Sequence, residues 1–175
     1  MGGLLLLDQE KMRIVIADDN KDFSDILAEF INRQEDMEVV KIASNGEEAC
    51  KFIRDYQPDI AILDVIMPYL DGIAVLENVN AMGLEKRPLF VMLSAVGQDK
   101  ITERALSLGA EYYIVKPFDM ETLVNRIRQL KSTALSDNSK AVSSNVVTSV
   151  TSSGLATSKP LLPKTKGMVT GHLLE

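Results

Sequence analysis

Five short apolar runs rich in valine and isoleucine, separated by amphipathic stretches, constrain the fold of this chain most. The runs are predicted strands at residues 13–17, 38–43, 59–63, 89–93 and 112–115. They show little polar alternation, which is typical of parallel strands that are covered on both faces. Five such strands within about 120 residues, each followed by a helical stretch, predict a doubly wound α/β domain.

The stretches between the strands carry apolar side chains at helical spacing. These stripes are Phe23, Ile26, Leu27, Phe30 and Ile31 on the first helix, Ala49, Phe52, Ile53 and Tyr56 on the second, and Leu123, Val124, Ile127 and Leu130 on the last. Asn45, with Glu48 three residues later, resembles a capping box at the start of the second helix, and Pro58 ends that helix. The helices should therefore cover both faces of the parallel sheet.

Composition divides the chain into an extension, a folded domain and a tail. Residues 1–11 lack the basic flank and long apolar core of a signal peptide, and Leu6 stands where a myristoylation site has Ser or Thr. The periodic domain is residues 12–131, and residues 1–131 carry 15 basic against 23 acidic side chains, a net charge of −8. Residues 132–175 contain 15 Ser or Thr, four lysines and no arginine, which predicts a flexible, disordered tail.

Charge, cysteine content and hydropathy limit the class of protein. The overall net charge of −6 argues against a general nucleic-acid surface. The single cysteine, Cys50, cannot form an internal disulfide and is expected to be a small buried side chain, which fits a reducing cytoplasm. No apolar run approaches the ~18 residues of a membrane span, and His172 is too isolated to be a metal ligand.

Polar side chains that can take part in a reaction or bind a ligand follow the predicted strands, at the points where the strands end. Asp18 and Asp19 follow the first strand, Asp64 the third, Ser94 the fourth and Lys116 the fifth. Ligands of doubly wound sheets bind outside the carboxyl ends of the strands. Three carboxylates, a hydroxyl and an ammonium should therefore converge on one pocket.

Three neighbouring carboxylates repel each other unless a cation neutralises them. A hard divalent cation with oxygen ligands is the usual solution, and the sequence has no His or Cys cluster that would favour zinc. A carboxylate beside such a cation can attack phosphorus to give an acyl phosphate, and Asp64, the lone acid on its strand end, is the best candidate. Lys116 and Ser94 would contact phosphoryl oxygens, and Pro117 restricts Lys116 to an extended conformation.

These residues resemble the receiver domain of bacterial two-component response regulators over about residues 12–131. The matching pattern is an Asp-Asp pair, Asp in DVIMPYLDG, Ser, and then Lys-Pro-Phe. The resemblance implies a sheet with strand order 2-1-3-4-5, as in flavodoxin-like folds, and a signalling phosphoacceptor rather than an enzyme. It also implies that Asp64 is the acceptor, and that Asp18, Asp19 and the Ile66 backbone carbonyl help bind Mg²⁺, for which Mn²⁺ or Ca²⁺ can substitute.

The same resemblance assigns the switch and the partners. Ser94 and Lys116 are the switch pair and Tyr113 the switch aromatic; receivers more often carry Thr at the position of Ser94. We expect one of Tyr112 and Tyr113 in the core and the other at the surface, and a helix over residues 96–108 beside them. Implied partners are a histidine kinase or histidine phosphotransferase as phosphoryl donor, a phosphatase, and a second receiver after phosphorylation.

Several stretches resemble more narrowly the receivers of regulators that start sporulation in endospore-forming bacteria. They are ADDN, QEDMEVV, LDVIMPYLDG, VMLSAVGQ and VKPFDMETLV. Such regulators carry a helical DNA-binding domain after the receiver, but residues 132–175 show no helix-turn-helix pattern and no basic face. We therefore expect this chain to receive the signal without binding DNA.

Three other classes of protein are alternatives to this interpretation. A nucleotide-binding Rossmann enzyme needs G-x-G-x-x-G after the first strand, and ADDNKDF has no glycine. A phosphatase of the haloacid-dehalogenase type needs a second Asp two residues after the nucleophile, where this chain has Ile66. A receiver-like domain that acts only through protein–protein contacts, without phosphorylation, is the third, and the intact acid set argues against it.

Overall fold

The computed structural model describes residues 10–95, 97 and 99–136, which form one parallel sheet with five helices. In chain order the elements are β1 (Met12–Ala17), α1 (Lys21–Asn32), β2 (Met37–Ala43), α2 (Gly46–Tyr56), β3 (Ile60–Asp64), α3 (Gly72–Ala81), β4 (Leu89–Ser94), α4 (Asp99–Ser107), β5 (Tyr112–Val115) and α5 (Met120–Ser136). All neighbouring strands are parallel, and their order is β2-β1-β3-β4-β5. The predicted doubly wound fold is confirmed.

The ends of the strands differ from the predicted ends by one residue at most. Asp64 and Ser94 are the last residues of β3 and β4 rather than the first residues after them. Both side chains are therefore held by strand backbone at the carboxyl edge of the sheet. The helix predicted over residues 96–108 corresponds to the shorter α4, Asp99–Ser107, and residues 96 and 98 lie outside the described residues.

Alternate side chains of each strand pack into two hydrophobic clusters, one on each face of the sheet. Val15 and Ala17 face α2, α3 and α4, whereas Ile14 and Ile16 face α1 and α5. Successive side chains of a strand point to opposite faces, so a strand between two helical layers must be apolar at every position. The first four positions of β3 are buried and apolar, and the fifth, Asp64, is the buried acid at the carboxyl end of the strand.

The prediction for the two tyrosines of β5 is wrong, because both are buried. Tyr112 is 2% exposed and lies in the cluster beneath α1 and α5, while Tyr113 is 1% exposed and lies in the cluster beneath α2, α3 and α4. Alternation along β5 does separate the two side chains. However, helices cover both faces of the sheet here, so neither face is open to solvent.

Side-chain hydrogen bonds lie at the start of α2 and in the last turns of α5. The Asn45 side chain accepts a hydrogen bond from the Glu48 backbone N–H, as predicted, but the Glu48 carboxylate accepts from Ser44 rather than from Asn45. Gln57, in a left-handed conformation, ends α2 just before Pro58. In α5, Ser132 and Thr133 hydroxyls donate to the Gln129 carbonyl, and the helix continues to Ser136, past the boundary predicted at residue 131.

Other predictions concern residues that the structure does not describe. The extension over residues 1–9, the tail beyond residue 136 and His172 lie outside the described residues. Within the described part of the chain, no helix is long and apolar enough to cross a membrane. Cys50 is a buried free thiol, as expected, and burial raises its pKa.

Candidate functional site

The three predicted metal-binding carboxylates lie together at the carboxyl edge of the sheet. One carboxylate oxygen from each of Asp18, Asp19 and Asp64 lies within 4.8 Å of the other two. Asp18 is 2% exposed and Asp64 is 6% exposed, whereas Asp19 is open to solvent. The fold therefore concentrates negative charge at a site where two carboxylates are buried and the third is accessible to a small ligand.

Lys116 connects two of these carboxylates. Its Nζ atom lies 2.6 Å from Asp18 Oδ2 and 2.9 Å from Asp64 Oδ1, and its side chain is 23% exposed. The Lys116–Pro117 peptide bond is cis, and Pro117 is exposed. The three residues that the sequence places at the ends of β1, β3 and β5 thus make direct contact.

Burial and charge act in opposite directions on this ion pair. Burial raises the pKa of the Asp64 carboxyl, and this effect exceeds the lowering by Lys116, so the net shift is upward. Burial lowers the pKa of the Lys116 ammonium, but hydrogen bonds to Asp18 and Asp64 more than offset it and the pKa is raised. Lys116 is therefore held in its charged form beside a buried Asp64 carboxyl.

Short loops fix the two buried carboxylates. The Asn20 backbone N–H donates to Asp18 Oδ1 at 2.9 Å, and the Ile66 N–H donates to Asp64 Oδ2 at 3.1 Å. Gly72 lets the first turn of α3 approach the backbone of Asp64, since a Cβ at Gly72 would lie 2.2 Å from the Asp64 carbonyl oxygen. Glycine is therefore required for this close packing behind the site.

The predicted switch residues lie on β4 and β5, the two strands on one side of β3. Ser94 is 1% exposed at the end of β4, and its carbonyl accepts a hydrogen bond of 2.7 Å from the Lys116 backbone N–H. Ser94 is paired in register with Val115, and Tyr113 pairs two residues earlier with Met92. The Ile66 side chain is 60% exposed and Tyr69, with positive φ, is 85% exposed, so the loop after β3 presents apolar groups beside the carboxylates.

Phe23 is a site residue that the sequence analysis assigned only to the apolar face of α1. Its ring centroid lies 4.3 Å from Lys116 Nζ, and its ring meets Phe118 edge-on at a centroid distance of 6.0 Å. Phenylalanine in the first turn of an amphipathic helix normally indicates core packing, so helical periodicity alone did not reveal this contact. The Lys-Pro-Phe stretch that brings Phe118 to the same place was the available signal.

The donor set fits a hard divalent cation. All three side chains offer carboxylate oxygens, which Mg²⁺ and Ca²⁺ prefer. Two ligands of one octahedral Mg²⁺ ion are at most about 4.2 Å apart, twice the ion–oxygen distance. Small side-chain rotations would therefore bring the three carboxylates, now within 4.8 Å, around one ion.

Comparison with known proteins shows the family. The model of the response regulator receiver domain matches residues 14–128, most of the described chain. The chain belongs to the response regulator receiver family, whose members are signalling phosphoacceptors that switch on phosphorylation and generally bind Mg²⁺. The cluster of Asp18, Asp19 and Asp64 fits a magnesium site.

Solved structures of receivers share the fold. The receiver domain of a putative response regulator NarL from Mycobacterium tuberculosis is 28% identical over 70% of this chain and 98% of its own, with a TM-score of 0.65. The response regulator domain of Thermotoga maritima CheB is 29% identical over 69% and 96%, with a TM-score of 0.63. CheY in a CheX-CheY-BeF3-Mg+2 complex from Borrelia burgdorferi is 31% identical over 70% and 90%, with a TM-score of 0.61.

Proposed function

We propose that this member of the receiver family accepts a phosphoryl group on Asp64 and changes its association with partners as a result. The observation that carries the proposal is the buried Asp64 carboxylate, bonded to Lys116 and adjacent to two further carboxylates. An acid in this setting has an exposed cation site on one side and a fixed ammonium on the other. That combination suits transfer of a dianionic phosphoryl group more than it suits structural pairing.

In the proposed reaction Asp64 is the nucleophile. A carboxylate oxygen of Asp64 attacks the phosphorus of a phosphohistidine or a small acyl phosphate, the bond from phosphorus to the donor breaks, and its electron pair leaves with the donor. For a phosphohistidine the imidazole nitrogen then keeps that pair, and the aspartyl phosphate is an acyl phosphate. Lys116, fixed within 2.9 Å of the Asp64 Oδ1 atom, is placed to contact an incoming phosphoryl oxygen.

Asp18 and Asp19, together with Asp64 and the Ile66 backbone carbonyl, would hold the divalent cation. When bound, Mg²⁺ neutralises phosphoryl oxygens, and Mn²⁺ or Ca²⁺ could occupy the same oxygen ligands. Asp18 is fixed by the Asn20 N–H, while the exposed Asp19 can rotate toward the ion.

Ser94 and Tyr113 would convert phosphorylation into a conformational change. The Ser94 hydroxyl, buried at the end of β4, would donate to a phosphoryl oxygen, and hydrogen bonds to charged acceptors contribute about 1.5–3 kcal/mol. Tyr113 would follow Ser94 and alter the surface of α4 and β5, favouring pairing with a second receiver. An energy of this size is enough to shift a population between two states.

The proposed partners follow from the resemblance to receivers, and the proposed pathway follows from the narrower sequence resemblance. A histidine phosphotransferase or histidine kinase in the cytoplasm would supply the phosphoryl group, and a phosphatase would remove it. The five stretches shared with sporulation regulators support a place in the relay that starts sporulation. A receiver acting only by protein contact is the alternative, and transfer from a purified sporulation phosphotransferase, but not from an unrelated kinase, would favour the sporulation role.

Intact mass after incubation with acetyl phosphate and Mg²⁺ tests the proposed function. The wild-type mass should rise by one phosphate, chelation of the metal should prevent the rise, and Asp64→Asn should show none. Asp59→Asn is the matched control, since Asp59 precedes the same strand at its other end and bonds to Lys86 instead. Equal labelling of Asp64→Asn and the wild type would place the acceptor elsewhere, and an unlabelled wild type would refute the function.

A further inference from the structure

The aromatic ring of Phe23 lies against the Lys116 ammonium, outside the polar residues that the proposed reaction uses. The distance of 4.3 Å from Nζ to the ring centroid is well inside the range in which a cation is attracted to an aromatic face. We propose that Phe23 is a positioning residue that holds the Lys116 ammonium at the reaction centre. This inference rests on the proposed acceptance of a phosphoryl group by Asp64.

Hydrogen bonds in the loop between β1 and α1 fix the position of Phe23 relative to the carboxylate of Asp18. Asp18 accepts a hydrogen bond from the Asn20 N–H, and the Asn20 side chain in turn accepts one of 3.1 Å from the Phe23 N–H, capping α1. Phe118, in the loop after β5, packs edge-on against the Phe23 ring, with an angle of 89° between the two ring planes. The ring is therefore connected to Asp18 on one side and to the Lys116 loop on the other.

An aromatic face suits this position better than a polar side chain. A lysine ammonium has three N–H donors, and Lys116 directs bonds to Asp18 and Asp64. The ring attracts the charge without presenting an oxygen acceptor that would compete with a phosphoryl oxygen. Lys116 can then turn an N–H toward an incoming phosphoryl group while its ammonium stays in place.

Two replacements of Phe23 separate the aromatic face from simple packing. Phe23→Leu keeps an apolar side chain but removes the ring, whereas Phe23→Tyr keeps the ring. With saturating acetyl phosphate and Mg²⁺, we expect Phe23→Leu to lower the maximal rate of Asp64 labelling about threefold to tenfold, and Phe23→Tyr to stay within about twofold of the wild type. Phe30→Leu, which removes another half-buried ring from α1, is the matched control and should label at the wild-type rate.

A second readout does not depend on phosphorylation. Proton NMR of the Lys116 side chain should show ring-current shielding of its ε-methylene in the wild type and in Phe23→Tyr, and loss of that shielding in Phe23→Leu. Wild-type labelling by Phe23→Leu, or equal slowing by Phe30→Leu, would overturn the inference. A wild type that shows the shielding but gains no phosphate would instead refute the proposed function, and with it the role of Phe23 in transfer.

Discussion

At the amino edge of the sheet, where the strands begin, the carboxylates of Asp36, Asp59 and Glu111 each have a cation of their own, whereas at the carboxyl edge one lysine serves two carboxylates. Asp59 lies 2.7 Å from Lys86 Nζ and also accepts from the Arg13 backbone N–H. In contrast, Lys116 is shared by Asp18 and Asp64. The same sheet thus neutralises its acids at one end and leaves an excess of negative charge at the other.

Two more pairs at the amino edge follow the same rule. Arg128 forms a two-pronged contact with Asp36 at 2.8 Å, joining α5 to the loop before β2. Arg87 bonds to Glu111 at 2.8 Å and donates to the backbone carbonyl groups of Pro88 and Gly109. These contacts join the loop before β4 to the residues that precede β5. These cations stabilise connections within the fold, whereas the unmatched charge at the carboxyl edge is available to an external cation.

The largest expected effect comes from removing one lysine at each edge. Lys116→Met should slow labelling of Asp64 by about 100-fold, because a preorganised charge at the transferring phosphoryl group is lost. Lys86→Met should label normally and lose about 0.5–1 kcal/mol of unfolding free energy, since its side chain is 56% exposed. Intact mass spectrometry over time measures the labelling rate of both variants, and denaturant unfolding measures their free energy of unfolding. Slowed labelling in Lys86→Met would erase the distinction between the two edges.

Mg²⁺ binding tests whether the acids at the carboxyl edge, including the exposed Asp19, form a cation site. Mg²⁺ at about 100 times its dissociation constant should raise the unfolding free energy of the wild type by about 2.7 kcal/mol. Asp19→Asn should weaken Mg²⁺ binding about tenfold, because a charged ligand is removed. Asp22→Asn, an exposed acid in the first turn of α1, is the control and should bind as the wild type does. Calorimetric titration decides, and equal affinity in all three proteins would remove Asp19 from the site.

Ser94 tests whether the carboxyl edge also transmits the signal. Ser94→Ala should still be labelled, but its phosphorylation-dependent gain in self-association should fall at least about fivefold, the lower end of typical coupling between sites. Ser132→Ala removes an exposed hydroxyl that bonds within α5, outside the surface of α4 and β5, and it should leave the gain unchanged. Sedimentation velocity with and without acetyl phosphate measures both variants. An undiminished gain in Ser94→Ala would exclude its hydroxyl from the switch.

Much of this edge could be predicted from the sequence, because parallel strands bring their ends together whatever the loops do. The acids Asp18, Asp19 and Asp64 and the cation Lys116 were placed by that rule alone, and they meet. Contacts made by a side chain that also belongs to an apolar stripe could not be predicted this way. Phe23 fits the helical period of α1, so its second contact, with Lys116, depends on the path of the loop after β5.

The exposure of the β5 side chains and the end of α5 were harder to predict from the sequence. Tyr112 and Tyr113 alternate between faces, but the exposure of each depends on helices distant in sequence. The last turns of α5 carry no apolar stripe, and Ser132 and Thr133 hydrogen-bond back to the preceding turn instead. Local pattern predicts an element well where a core face repeats, and less well where only backbone and hydroxyl groups continue it.

The smallest expected effect is on the pH dependence of stability at the amino edge. The hydrogen bonds from Arg128 lower the pKa of Asp36, so the ionised form stabilises the fold. That contribution is complete above the unfolded-state pKa of about 3.9 and is lost as the pH falls through the lower folded pKa. Burial raises the pKa of Glu111 instead, so its ionisation opposes folding, and stability is regained as the pH falls through its folded pKa toward the unfolded value.

Two variants should therefore change the acid limb of the stability curve in opposite directions. Asp36→Asn should flatten the loss of unfolding free energy below about pH 4, by no more than about 1 kcal/mol because the Asp36 side chain is 39% exposed. Glu111→Gln should remove the gain on mild acidification, so that stability begins to fall at higher pH than in the wild type. Urea unfolding at about pH 7, 5, 4 and 3 measures both. An acid limb in Asp36→Asn as steep as that of the wild type would mean that Arg128 contributes nothing through this carboxylate, and that the pairing at the amino edge is only geometric.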